Sequence, residues 1–86
     1  MDELEQYRKQ VDRVDALILK ALAERAKICV VIGKVKKKRG MSIRDVSREN
    51  DVYKSVKEKS VEFGLNPVQV EAVFREIVNM CSAVQE

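Results

Sequence analysis

DELEQYRKQVDRVDALILKALAERAKICVVIGKVKKKR, from Asp2 to Arg39, is the stretch that decides the fold. Its apolar residues fall at Leu4, Tyr7, Val11, Val14, Ile18, Ala21, Leu22, Ile28, Cys29, Ile32 and Val35. Intervals of three and four place them on one stripe of an α-helix. Good helix formers fill the remaining positions and only Gly33 interrupts them. Gly40 is a natural terminator. A helix of this length spans roughly 55 Å, at about 1.5 Å per residue. A globular chain of this size has a radius of gyration near 12 Å, hence a diameter of only about 30 Å. One end of the helix must therefore project, yet its apolar stripe runs the whole way. Two further helices cannot cover all of it. A second copy of the chain is the simplest cover, and twofold symmetry is the commonest arrangement. The expected fold class is all-α, with three helices per protomer, a long first helix and an intertwined homodimer.

The rest of the chain supplies the other two helices. A loop, Met41-Ser42-Ile43-Arg44, comes first. Asp45 or Ser47 can cap a second helix of about Val46 to Phe63, with Val52, Val56, Ser60 and Phe63 inward. Gly64 ends it. Asn66-Pro67 is a start signal, an N-cap followed by proline at the first helical position. The third helix then runs to the end, with Val70, Val73, Phe74, Ile77, Val78, Cys81 and Val84 inward. There are no repeats and no linker, so residues 1–86 read as a single domain.

Composition narrows the function classes. A monomer this small buries only about 60–65% of its unfolded surface, a marginal core. Cys29 and Cys81 sit in apolar runs, and one pair is no disulfide framework, so they read as core residues that cannot make up the deficit. Without histidine the usual cysteine–histidine zinc patterns cannot be built. The start MDELEQYRKQ is acidic where a signal peptide has a basic flank, and no stretch approaches the roughly 18 apolar residues of a membrane span. A soluble, reducing, cytoplasmic setting is expected, with no membrane partner. The 17 Lys+Arg and 14 Asp+Glu are interspersed and leave a net charge of +3. The exception is the tract from Lys34 to Arg39, which reads as a solvated helix end because cations suit the negative end of a helix dipole. Interleaved aromatics and a large net charge are missing, so no nucleic-acid partner is expected.

Several polar residues occupy positions that ought to be apolar. Arg25 falls in the heptad row of Leu4, Val11, Ile18 and Ile32, and a buried arginine is costly unless it meets an anion. Lys36 lies only about 20° away around the helix and roughly 16 Å along it, room for a small molecule between the two. Asp45, Arg48 and Glu49 stand at i, i+3 and i+4 on one side of the second helix. Gln85 follows Cys81 by four residues and points inward with it. Singly, each has an ordinary account: Arg25 can pair with Glu24, Asp45 can be a cap, Arg48 and Glu49 surface charges, Gln85 a loose end. Together they converge on one cavity and point to a small anionic ligand.

These residues also carry a family resemblance. Tyr7-Arg8-Lys9, Leu22-Ala23-Glu24-Arg25, Gly33-Lys34-Val35-Lys36, Arg44-Asp45-Val46-Ser47-Arg48-Glu49 and Cys81-Ser82-Ala83-Val84-Gln85 resemble the all-helical chorismate mutases of bacteria and archaea. The resemblance spans essentially the whole chain. It implies an antiparallel dimer of three-helix protomers with two sites, each shaped by both long helices. It also implies the reaction, the Claisen rearrangement of chorismate to prephenate in phenylalanine and tyrosine synthesis. In the family's pattern Arg8 enters the site from the other protomer. The helix geometry agrees, since Arg8 lies roughly 25 Å along the helix from Arg25. In an antiparallel pair crossing near Leu19 it reaches its mate's Arg25–Lys36 interval.

A concerted unimolecular rearrangement needs no nucleophile, metal or cofactor. Arginine grips carboxylates with paired hydrogen bonds, and by resemblance the partner's copy of Arg8, together with Arg25, holds the two carboxylates of the substrate. Lys36 and Gln85 stabilise the charge that grows on the ether oxygen. Arg48 supports the substrate and the carboxylate network. Glu49, with the backbone near Asp45, takes the ring hydroxyl. Position 81, serine in some relatives, is Cys81 here, a weak donor that reads more readily as core than contact. Two other readings stay open on the sequence. One is an isochorismate-pyruvate lyase of the same fold. The other is a non-catalytic helical dimer using the basic tract.

Overall fold

The computed structural model describes residues 2–86, and these form three α-helices. Helix α1 spans Glu3–Lys38, α2 Val46–Glu62 and α3 Pro67–Gln85. The expected bounds are one residue wide at both ends of α1 and at the end of α2, because the outermost residues are caps. The Asp2 carboxylate accepts from the Leu4 amide, and Asn66 accepts from Val68 and Gln69 ahead of Pro67. Of the two candidate caps for α2 the structure uses Asp45, whose Oδ1 accepts from the Arg48 amide at 3.0 Å.

α1 and α2 end alike. Gly40 and Gly64 have φ of 66° and 70°, and the following amides, of Met41 and Leu65, reach back to the carbonyls of Lys36 and Ser60. This six-to-one closure needs a left-handed residue, which glycine adopts without strain. It turns the chain sharply enough for α3 to return alongside its predecessors. α3 packs on both α1 and α2, while α1 and α2 do not pack on each other. They diverge and leave a cleft floored by α3.

The chain is elongated, 58 Å in its longest dimension, with a radius of gyration of 16.2 Å. The globule of about 12 Å radius of gyration is not what this chain forms alone. The cause is α1: from Glu3 to Ala21 every residue is exposed. Leu4, Tyr7, Val11, Val14 and Ile18 are each more than half exposed. Among the described residues the buried apolar side chains are Cys29, Tyr53 and Val78 alone. Such a core is too small to hold an ordinary domain together, since each fully buried apolar side chain contributes only about 1.5–3 kcal/mol.

Three expected features need correction. Phe63 is 76% exposed and not part of the α2 stripe; Tyr53 is buried instead, beneath the Arg75 guanidinium at 4.4 Å from its ring centroid. Val73 and Val84 are also exposed, because α3 alternates between two neighbours and turns these residues to neither. Finally, Cys29 and Cys81 are not separate core residues. They form a disulfide that ties α1 to α3, with Cα atoms 5.4 Å apart. Their wide separation in sequence gave no sign of this contact, which exists only because α3 folds back onto α1.

Candidate active site

The cleft holds a cavity of about 420 Å³. That lies within the range of small-molecule sites, about 300–1,000 Å³. α1 supplies one wall with Arg25, Ile28, Ile32 and Lys36. The opposite wall is Ile43 of the connecting loop with Asp45, Arg48, Glu49 and Val52. α3 closes the floor with Val78, Cys81, Ser82 and Gln85. Seven of the eight residues named from the sequence thus meet in one place. The eighth, Arg8, does not. It is exposed on the projecting half of α1, paired with Glu5 at 3.0 Å.

Lys36 is held from two sides in the cavity. Its ammonium donates to the Gln85 Oε1 at 2.8 Å and to the Ile43 carbonyl. Two of its three protons are committed, leaving one for a ligand. Gln85 in turn donates from Nε2 to the Cys81 carbonyl and to Cys81 Sγ, both at 3.2 Å. The Gln85 amide is therefore oriented at both ends. Gly33 makes this arrangement possible. A Cβ built there would stand 2.9 Å from the Gln85 Cα and 3.0 Å from its Cβ. Only a glycine lets α3 bring Gln85 so close to α1.

The charges are unequal. Among the described residues the ion pairs are Arg8–Glu5, Arg44–Glu49, Lys57–Glu71 and Arg75–Glu71. Arg25, Lys36 and Arg48 take part in none of them. Glu24 does not pair with Arg25, whose NH1 instead lies 3.8 Å from Cys29 Sγ. The two carboxylates of the cavity are already engaged. Asp45 caps α2, and Glu49 accepts from Arg44 at 2.9 Å. Arg44 also donates to Asn79 at 2.7 Å, so it bridges the loop to α3 behind the cavity. Three cations without carboxylate partners therefore line one partly enclosed, largely apolar space. Such a site attracts an anion and would favour negative charge developing between Lys36 and Gln85.

Four contributors were not foreseen. The Ile43 carbonyl and the Arg44 bridge depend on loop conformation, for which the sequence holds no signal. Ser82 is buried at the floor, next to Cys81, where a helical wheel does not separate it from the exposed face. Gly33 did carry a signal: a glycine inside a strongly helical run costs about 1 kcal/mol and often marks a close approach.

Known proteins match along the same residues. The sequence model of the family described as chorismate mutase type II matches residues 7–86. A bifunctional chorismate mutase/prephenate dehydratase of Aquifex aeolicus is 34% identical over the whole of this chain, which spans 25% of that relative's length. A chorismate mutase of Methanocaldococcus jannaschii is 26% identical, again over the whole chain, which covers 87% of it. A solved structure of a conserved hypothetical protein from Pyrococcus furiosus superposes with a TM-score of 0.78 at 29% identity, covering 100% of this chain and 99% of the other. With the match running through both walls and the floor of the cavity, the chain belongs to the chorismate mutase type II family.

Proposed function

We propose that the chain is a chorismate mutase that rearranges chorismate to prephenate, a step toward phenylalanine and tyrosine. The observation that carries this is the cavity itself: Arg25, Lys36 and Arg48 line it without carboxylate partners, and Lys36 is bonded to Gln85. The substrate is a dicarboxylate whose carbon–oxygen bond breaks as a carbon–carbon bond forms. Arg25 binds one carboxylate, which helps to hold the reactive ends of the molecule together. The free proton of Lys36 and the Gln85 amide meet the ether oxygen as charge grows on it. Arg48 lies beside the same carboxylates. Glu49 retains one oxygen not used by Arg44 for the ring hydroxyl, with the backbone at Asp45 beside it. Cys81 contributes through Gln85 more than by direct contact.

The second carboxylate needs another cation, and we propose that it is Arg8 of a second copy. The apolar stripe of α1 from Leu4 to Ile18 lies exposed in the single chain, and an antiparallel partner crossing near Leu19 would cover it. Arg8 would then stand over the partner's cavity, a position it cannot reach in its own chain. The proposed location is the cytoplasm. An intracellular disulfide is uncommon but established in some organisms.

The deciding experiment follows the ultraviolet absorbance of chorismate with the purified protein. Enzyme-dependent loss of chorismate with formation of prephenate is expected. No turnover of chorismate, with release of pyruvate from isochorismate, would replace this reading with the lyase. Salt-sensitive DNA binding without either activity would replace it with a binding module.

A further inference from the structure

We infer that the Cys29–Cys81 cross-link is a positioning element for the reaction, holding α3 on α1 so that the Gln85 amide stays beside Lys36. This rests on the chorismate mutase reading of the cavity. The two helices meet in consecutive rungs. Cys29 and Gly33 are one turn apart on α1, and Cys81 and Gln85 one turn apart on α3. The first rung is the disulfide, with Cα atoms 5.4 Å apart. The second is the close approach of Gln85 to Gly33. Helices in ordinary contact stand about 8–10 Å apart axis to axis, and only glycine permits the approach seen at the second rung.

The cystine also touches the reactive groups at both ends. Cys81 accepts from the Gln85 Nε2 through its carbonyl and its sulfur, each at 3.2 Å. Cys29 Sγ lies 3.8 Å from the Arg25 NH1. Apart from apolar packing, little else fastens α3 to α1. Among the described residues no ion pair joins them, and the one side-chain hydrogen bond between them is Lys36 to Gln85 itself. That bond cannot position the group it consists of. The covalent rung can.

Dithiothreitol removes the rung. It gives two electrons and two protons to the sulfur–sulfur bond, leaves two thiols, and is itself oxidised to a cyclic disulfide. Without the rung no covalent link holds α3 to α1, and Gln85 is free to drift from Lys36. The loss falls on transition-state stabilisation, hence on kcat.

The test compares oxidised and reduced protein at a temperature where circular dichroism shows both folded. Thiol titration of the unreduced, unfolded chain should find no free thiol; two free thiols in fully active protein overturn the proposal. On reduction kcat should fall roughly tenfold or more, part of what removing such a donor costs, while KM changes less than about threefold. Cys29→Ala should behave like the reduced protein and ignore dithiothreitol, with Cys29→Val in its place if the alanine variant does not fold. In a Gln85→Ala background reduction should change kcat by less than about twofold, because the group being positioned is gone. An unchanged kcat on reduction, or an equal loss in the Gln85→Ala background, overturns the proposal. If the oxidised chain turns over no chorismate, the functional reading fails separately. Positioning is then judged by the nuclear magnetic resonance signal of the Gln85 side-chain amide. It should move and exchange faster with solvent on reduction, and an unmoved signal overturns the proposal.

Discussion

Gly33→Ala tests the geometry of the cavity most directly. The new Cβ would stand 2.9 Å from the Gln85 Cα, 3.0 Å from its Cβ and 3.1 Å from its Cγ. Carbon atoms rest in contact at about 3.5–4.0 Å, so α3 must retreat by roughly half an ångström or more. Backbone is among the atoms met, so no rotamer change relieves the clash. The Lys36–Gln85 bond, now 2.8 Å, stretches toward the long end of the usual range. That range closes near 3.2 Å for N–H···O. Two effects on stability oppose one another. Overpacking costs about 1–3 kcal/mol. Alanine in place of glycine inside a helix returns about 1 kcal/mol. The net loss is about 0–2 kcal/mol, a modest fall in Tm. Activity has no such offset. Complete removal of a group stabilising developing charge costs about 10²–10³ in kcat, and a displacement of about 1 Å can cost 10². We expect kcat to fall about ten- to a hundredfold while the variant stays folded. Steady-state kinetics beside thermal unfolding would measure both. A kcat within about twofold of the parent would refute the idea that close approach of Gln85 to α1 serves the reaction.

Other perturbations separate the remaining claims. Arg25→Ala and Lys36→Ala should each lower kcat/KM by at least about a hundredfold with the fold intact by circular dichroism; near-normal kinetics in either would show that the cation is not part of the site. Sedimentation should find a dimer whose dissociation abolishes turnover together with stability, and a stable active species of 9.9 kDa would end the shared-site proposal. The cross-link closes a long loop, for which the chain-entropy model gives about 4 kcal/mol, so Cys29→Ala should lower Tm by on the order of 20 °C. A loss of only a few degrees would show that the oligomer, not the disulfide, limits unfolding. The Lys57 ammonium, with Arg75 beside it, lowers the pKa of the Glu71 carboxyl from its ordinary 4.5. A folded value below the unfolded one stabilises above the unfolded value and is lost as pH falls through the folded one. Glu71→Gln should therefore lose less Tm than the parent between neutral and strongly acid pH; equal losses would mean the exposed cluster contributes nothing.

The helices and most of the cavity's side chains were written in the sequence because local rules govern them. Period and caps set α1, α2 and α3 to within a residue. Arg25 and Lys36 share a face by helical geometry alone, and Asp45, Arg48 and Glu49 do so for the same reason. Fixed rise and turn angle make such relations independent of what packs against the helix. The exposed stripe of α1 was legible too, because its length exceeds anything the chain can fold around it. Relations between helices were not legible in this way. Whether Phe63 or Tyr53 is buried depends on how α2 rolls against α3, and a periodic pattern tolerates either. The disulfide requires two cysteines far apart in sequence to meet on facing turns. The occupied state of Glu49, bonded to Arg44, follows from a loop conformation that no pattern encodes. Gly33 shows where the two kinds of information join. The sequence marks the glycine as an interruption in the helix, but its meaning lies in Gln85, which tertiary packing alone brings against it.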